Sequence, residues 1–319
     1  MLHKAIIKPS KLGKPLNTVK FKRYFKRNWP FLVMLSVPLA FLIVFAYLPM
    51  GGIVMAFQDF KPWLGFKDSK WVGLDNFNFM FERKDSIQVI VNTLLIASMK
   101  IILNLIVPFL FAIFLNEIRH TFFKRYVQTL VYLPHFLSWV ILGGVLTDIL
   151  STDGGIVNQL LTSMFGIEPI FFLGDGNWFR FTVVVSDVWK EFGFATIVFL
   201  ASLANINPSL YEAAEVDGAT RLKQTLHITI PSLIPITIVV GVLSLGNILN
   251  AGFDQIFNLY NPLVYQKGDI IDTFVYRAAI LSGDMGFGTA MGLFKSIVSF
   301  LLISLAYRLA YKYANYRIF

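Results

Sequence analysis

Six stretches of this chain stay apolar for about twenty residues, the length a helix needs to cross a ~30 Å hydrocarbon layer. They cover residues 31–57, 89–115, 127–150, 181–204, 230–249 and 290–311. No water is available inside a bilayer, so each span must pair its own backbone N–H and C=O groups, which makes it helical. Composition agrees: 56% of the 319 residues are hydrophobic and 15% charged, too little charge to cover a soluble surface, where about 25% is usual. The expected fold class is all-α, a polytopic membrane protein with six transmembrane helices. The first run is longer than a signal-peptide core, contains Pro38 and Pro49 and shows no obvious small-residue cleavage site, so it is expected to be retained.

The formal charge of +9 sits in one place. Residues 1–29 hold nine bases and no acid, leaving the remainder balanced at nineteen of each. Such a tail could bind nucleic acid, but it leads directly into an apolar span and reads instead as a topological signal. On a helical wheel Phe21, Tyr24, Phe25 and Trp29 lie opposite Lys20, Lys22, Arg23, Lys26 and Arg27, the pattern of an interfacial helix over anionic lipid, with Lys4 to Lys14 expected to be disordered. Bases recur in alternate loops: Arg119, Lys124 and Arg125, then Arg221 and Lys223, then Arg308, Lys312 and Arg317. Residues 151–179 contain none, and 250–289 have two against four acids, whereas 58–88 have five of each. Basic loops stay in the cytoplasm, which places both termini there. The absence of Cys removes disulfides and thiol chemistry, and four scattered His (His3, His120, His135, His227) do not suggest a metal centre.

Between the fourth and fifth spans, Asn207 and Pro208 carry the marks of a helix start and Gly218 those of a left-handed end. The short helix between them has small Ala213 and Ala214 and the carboxylates of Glu212, Glu215 and Asp217, a low surface able to press on a basic partner. This loop resembles that of the membrane permeases of binding-protein-dependent ATP-binding-cassette importers, which reads Glu-Ala-Ala, three residues, Gly, nine residues, Ile, one residue, Leu-Pro. Glu212, Ala213, Ala214, Gly218, Ile228 and Pro231 occupy those places, and Ile230 replaces the Leu. Tyr47-Leu48-Pro49, Gln58-Asp59-Phe60, Gly73-Leu74-Asp75-Asn76-Phe77, Tyr132-Leu133-Pro134, Trp189-Lys190 and Val216-Asp217-Gly218-Ala219 are similar to the carbohydrate-uptake branch, especially permeases for polysaccharide-derived oligosaccharides.

The resemblance implies a type I importer permease fold in the bacterial cytoplasmic (inner) membrane. It divides the chain into a basic tail (1–29), a first span with its extracytoplasmic loop (30–87), a transmembrane core (88–311) with a coupling helix at 207–220, and a cytoplasmic end (312–319). It implies a second homologous permease, two ATPase subunits and an extracytoplasmic solute-binding protein, with no cofactor on this chain and ATP and Mg on the ATPase. Glu212, Ala213, Ala214, Asp217 and Gly218 would dock on that ATPase. Independently, the chain has no G-x-x-x-x-G-K-[ST] phosphate cradle; residues 288–296 imitate one but place Phe294 before Lys295. Neither catalytic nor metal-ligating residues are expected.

Ionisable groups inside spans are costly and count as functional candidates. Asp187, Lys190 and Glu191 fall on one face of the fourth span, where Lys190 could pair with both acids; the cluster either lines the pathway or faces a neighbouring subunit. Trp189 beside them is a pathway candidate too, although an aromatic in a span more often packs or anchors at the interface. Asn247, Asn250, Asp254 and Gln255 recur toward the outward end of the fifth span, where amides and carboxylates near Phe253 or Tyr260 suit a sugar, or else bond between helices. Asn92, Asn104 and Asn116 are expected to be structural, and His135 to be a hydrogen-bonded residue at a helix start. Gly143-Gly144 and the glycines of 283–292 suit close helix approach or hinge movement. A secondary transporter would show paired repeats and a membrane enzyme clustered catalytic groups; neither pattern is present.

Overall fold

The structure, a computed structural model, describes residues 18–314, with side chains from Phe25 to Arg308. The tail from Lys4 to Lys14, the side chains of Phe21 and Tyr24, and Arg317 lie outside the described residues. The chain divides into two units, Met1–Ile53 and Val54–Phe319.

In the first unit, helix α1 (Thr18–Leu42) contains Pro30 and Pro38 and continues through a wide turn at Ile43–Tyr47. The basic and aromatic residues 20–29 are therefore helical and run into the first span without a break.

The second unit is helical as expected apart from a short antiparallel ribbon near its start, β1 (Gln58–Asp59) and β2 (Lys70–Trp71), with Gln58 opposite Trp71. The ribbon is followed by α2 (Asp75–Glu82), α3 (Lys84–Glu117), α4 (Thr121–Tyr132), α5 (Trp139–Ile149), α6 (Ile156–Phe165), α7 (Gly176–Ala204), α8 (Pro208–Val216), α9 (Arg221–Leu245), α10 (Phe253–Leu259), α11 (Ile271–Val275) and α12 (Met285–Ala314). Gly73 takes φ +62° at the ribbon's exit, and the Asn76 amide donates to Ala56 O (3.0 Å) and Gln58 O (3.1 Å), which accounts for the Gly-Leu-Asp-Asn-Phe stretch.

Among the described residues, four helices are long and apolar enough to cross a membrane: Phe25–Phe57, Lys84–Glu117, Arg221–Leu245 and Met285–Arg308. The third run, read from sequence as one span over 127–150, is broken. Helices Thr121–Phe136 and Trp139–Ile149 meet at 101°. Leu137 and Ser138 adopt extended backbone there, and Ser138 Oγ accepts from Ile141 N (3.3 Å) to start a new helix. The fourth run lies in α7, whose 29 residues reach about 43 Å. Residues 181–204 of α7 carry three charges, Asp187, Lys190 and Glu191, against the single Lys100 of residues 89–115. Counting the bent pair and α7, six spans are compatible with this architecture.

α3 crosses α7, and their contact builds two of the three apolar cores: Ile96, Ala97, Phe179, Val183 and Ile256 in one, Ala112, Ile113, Phe199, Leu203 and Leu233 of α9 in another. Lipid is as apolar as these side chains, so close packing rather than exclusion of water holds the helices together, and small residues mark the contacts. A Cβ on Gly193 of α7 would fall on the Val131 carbonyl at the end of α4, and one on Gly143 would lie 3.0 Å from Asn258 Cβ. Gly144, by contrast, faces open space. Gly286 and Gly288 meet Gln58 O and Ala279 in the same manner, while Gly292 is unobstructed.

α7 begins at a carboxylate cap. Asp175 Oδ1 accepts from Asn177 N (2.9 Å) and Trp178 N (3.1 Å). The bond from Trp178, then that from Asn177, holds the exposed carboxyl below its ordinary pKa. A group whose folded pKa is depressed adds stability above its unfolded pKa and loses it as pH falls through the folded value. Acidifying the protein below about pH 4 is therefore expected to lower its melting temperature more than that of Asp175→Asn, which keeps a capping oxygen but does not titrate. Thermal melts of both proteins in detergent across this range check the difference; equal acid sensitivity would remove the cap as its source.

Candidate functional site

Two places concentrate exposed or buried polar groups. The first is α8, where Asn207 Oδ1 accepts from Ser209 N (3.1 Å) and Pro208 occupies the first helical position. At the other end Gly218 has φ +70°, with Gly218 N donating to Glu215 O (3.0 Å) and Ala219 N to Ala214 O (2.8 Å). Both ends follow the local expectation because capping depends on neighbours within four residues. The inner side is moored by Tyr211, whose hydroxyl meets the buried Thr229 Oγ1 at 2.9 Å. Arg221 Nη1 lies 3.3 Å from Glu117, tying the loop to the end of α3. Glu212, Ala213, Glu215, Val216, Asp217 and Gly218 face outward, and no atom lies within 4 Å of a Cβ placed on Gly218. Among the described residues, Glu212, Glu215 and Asp217 form no ion pair.

The second place is where α3 and α7 meet the end of α9. Sequence spacing pairs Lys190 with both Asp187 and Glu191; the structure separates them. Lys190 Nζ bonds Glu191 Oε1 (2.9 Å) and His135 O (2.8 Å), while Glu191 Oε2 meets His135 Nδ1 (2.7 Å) and the His135 ring stacks on Phe194 at 4.1 Å. His135 thus bonds as expected, but with a carboxylate across the bundle, and it sits at the 101° bend. Asp187 turns instead to α3: Lys100 Nζ lies 3.0 Å from Oδ1, and Asn104 Nδ2 donates to Oδ2 at 2.9 Å. Both ammonium groups are equally buried; Lys190 already holds the Glu191 carboxylate, whereas Asp187 is the one carboxylate among the partners of Lys100. The sequence reading overlooked Lys100, although it is the one base within 89–115 and an ionisable residue in a span is itself a signal.

The second set is also redistributed. α9 ends at Leu245, so Asn247 and Asn250 lie in a non-helical turn, and Asp254 and Gln255 belong to the separate helix α10 after Gly252 (φ +94°). They do not share one helical face. Asn247, Asn250 and Asp254 are exposed. Gln255 is fully buried, its amide donating to Val183 O (2.7 Å) and Ser186 Oγ (2.9 Å), so it ties helices together and is closed to a ligand. Beside this turn, Gly246 abuts Ile303 of α12, where an added Cβ would lie 3.0 Å from Ile303 Cγ1. Trp189 faces away from Asp187, into an apolar groove of about 520 Å³ with Leu146, Leu150, Phe181 and Val185. Asn92 is structural, accepting from Arg180 Nη2 (2.5 Å) and donating to Gln266 O (3.1 Å). Lys295 of the imitation phosphate motif is inside α12 and pairs with Asp272 at 2.5 Å, where no loop could wrap a phosphate.

Comparison with known proteins identifies the family of the chain. Residues 104–315 match the family described as binding-protein-dependent transport system inner membrane component. The chain is similar to Protein LplB of Bacillus subtilis (strain 168), 40% identical over 310 residues that cover 96% of this chain and 97% of the relative. It is 41% identical over 275 residues to the polygalacturonan/rhamnogalacturonan transport system permease protein YteP of the same organism, covering 86% and 85%. Among solved structures it resembles a chain of a bacterial ABC transporter involved in the import of the acidic polysaccharide alginate, with a TM-score of 0.84 and 36% identity over 92% of this chain and 99% of that one. A chain of a bacterial alginate ABC transporter in complex with alginate pentasaccharide-bound periplasmic protein gives a TM-score of 0.82 and 36% identity over 91% of this chain and 96% of that one. Family match, long relatives and fold together make the chain a multi-pass membrane permease that belongs to the inner membrane components of binding-protein-dependent ABC importers.

Proposed function

We propose that this permease forms half of the translocation pathway for an oligosaccharide released from a polysaccharide, paired with a second homologous permease and driven by two ATPase subunits, one of which binds α8. A solute-binding protein delivers the sugar from outside, and both termini face the cytoplasm with the basic loops. ATP binding closes the ATPase dimer, and the docked helices carry that closure into the spans so that the pathway opens to alternate sides.

The observation that carries the coupling is α8 itself: a capped helix whose outward face presents small side chains and uncompensated carboxylates. Support for the sugar comes from the relatives, of which one is named for polygalacturonan and rhamnogalacturonan and another imports an acidic polysaccharide. An acidic chain is therefore the expected cargo. Asn250 and Asp254, exposed beside the break after α9, supply the amide and carboxylate that hydroxyl-rich ligands use.

Uptake of labelled oligogalacturonate into cells expressing the complete transporter is expected to survive an ionophore and stop on ATP depletion, and to exceed uptake of arabino-oligosaccharide. Ionophore-sensitive uptake would replace this reading with a secondary transporter, and preferential uptake of the neutral sugar would overturn the acidic cargo.

A further inference from the structure

The ammonium of Lys100 joins four segments, and neither sidedness nor coupling explains it. Its side chain is 8% exposed. An ammonium has three donors, and three acceptors surround this one: Asp187 Oδ1 of α7 at 3.0 Å, Ala251 O of the turn after α9 at 2.7 Å, and Gln255 Oε1 of α10. Gln255 in turn grips α7 through Val183 O and Ser186 Oγ. The backbone at Gly252 is pressed so close that a Cβ there would lie 3.0 Å from Lys100 Nζ, in addition to its φ of +94°.

The turn needs such a grip. Residues 246–252 have left the helix between α9 and α10, and within a bilayer non-helical backbone persists only where protein or a water-filled cavity satisfies its polar groups. Lys100 does so for the Ala251 carbonyl. The same seven residues hold Asn247 and Asn250 exposed and lead directly to Asp254. Asp187 offsets the charge, but charge compensation alone requires no contact with Ala251 or Gln255.

We propose that Lys100 is a positioning residue for the transported solute: through Ala251 O and Gln255 it sets the turn that presents Asn250 and Asp254 to the pathway. This rests on the permease reading of those two residues, and its test is arranged to fail separately.

The chain has no Cys, so Asn250→Cys places a single thiol on the exposed part of the turn. In membrane vesicles carrying the assembled transporter, the rate of its modification by a hydrophilic maleimide reports the turn's conformation. Adding Lys100→Met is expected to change that rate about tenfold, the signature of a locally released segment. Adding Lys100→Met together with Asp187→Asn, which leaves no stranded carboxylate, should keep the changed rate, whereas Lys100→Arg, which retains charged donors, should return most of it. In chains that keep Asn250, the double variant should show a raised KM for oligogalacturonate uptake with a smaller change in maximal rate. If Lys100→Met alone fails to assemble, the neutral double variant carries the comparison. A double variant with the parent's labelling rate and KM would overturn the proposal and leave Lys100 and Asp187 as a mutually neutralising pair. Failure of the parent to take up any oligosaccharide would sink the substrate reading while leaving the labelling comparison decisive for the turn.

Discussion

Glu212→Lys is expected to abolish the ATPase stimulation produced by loaded solute-binding protein, while the permease still assembles in the membrane. Glu212 projects from α8 without an internal ion pair, so reversing its charge removes nothing that holds this chain together. At a docked interface the loss is different in size: breaking a desolvated charge pair costs about 2–5 kcal/mol, roughly thirtyfold to several thousandfold in occupancy. Gly218→Asp is expected to have the same outcome by another route. Aspartate is among the few L-residues that visit the left-handed region, and the space around Gly218 is open, so α8 keeps its cap. What changes is the outward surface, where a carboxylate now stands where the chain was bare. Reconstituted complexes, assayed for stimulated and basal ATPase with assembly verified, decide the matter. Normal stimulation in either variant would remove α8 from the coupling role, and Gly218→Asn serves as the uncharged control.

The largest effect on the fold is expected at Gly193. Its missing side chain lets α7 lie against the backbone of α4, where Val131 O occupies the place of a Cβ and Tyr132 N is 3.2 Å away. Backbone at a helix end cannot swing aside as a flexible side chain can, so Gly193→Ala must move one helix off the other, and over-packing of this kind costs about 1–3 kcal/mol or more. That contact lies next to the group formed by His135, Lys190 and Glu191, whose distances would open with it. Gly144→Ala supplies the contrast: it is also inside a helix, but in open space, where replacing Gly is worth about 1 kcal/mol of helix stability. Melting temperatures in detergent should therefore move in opposite directions, down for Gly193→Ala and unchanged or up for Gly144→Ala. Equal behaviour would mean that α4 and α7 do not approach this closely.

Features were legible in the sequence in proportion to how local they are. The caps of α8 are set by residues within the same turn, so Asn207, Pro208 and Gly218 revealed both ends. The bend after Phe136 had a local signal, Pro134 followed by a capping Ser138, but continuous hydropathy across 127–150 concealed it. Asn247, Asn250, Asp254 and Gln255 keep helical spacing although the helix stops at Leu245; Gly246 and Gly252 were the available warnings. The partner of Asp187 was not legible from α7 alone, because Lys100 is 87 residues away and a one-helix reading supplies Lys190 instead.

Hydropathy and the placement of bases by themselves determined a helical membrane chain and a proposed sidedness, because lipid imposes helicity segment by segment and charge acts locally at each loop. Motif spacing in one loop likewise pointed to the permease family. Only the tertiary structure decided which charges neutralise which, which amides are buried and which exposed, and where α9 gives way to a turn held by Lys100. Those outcomes depend on helix crossings such as α3 over α7, where a buried charge pairs with whichever acceptor the packing brings within reach, whatever its distance along the chain.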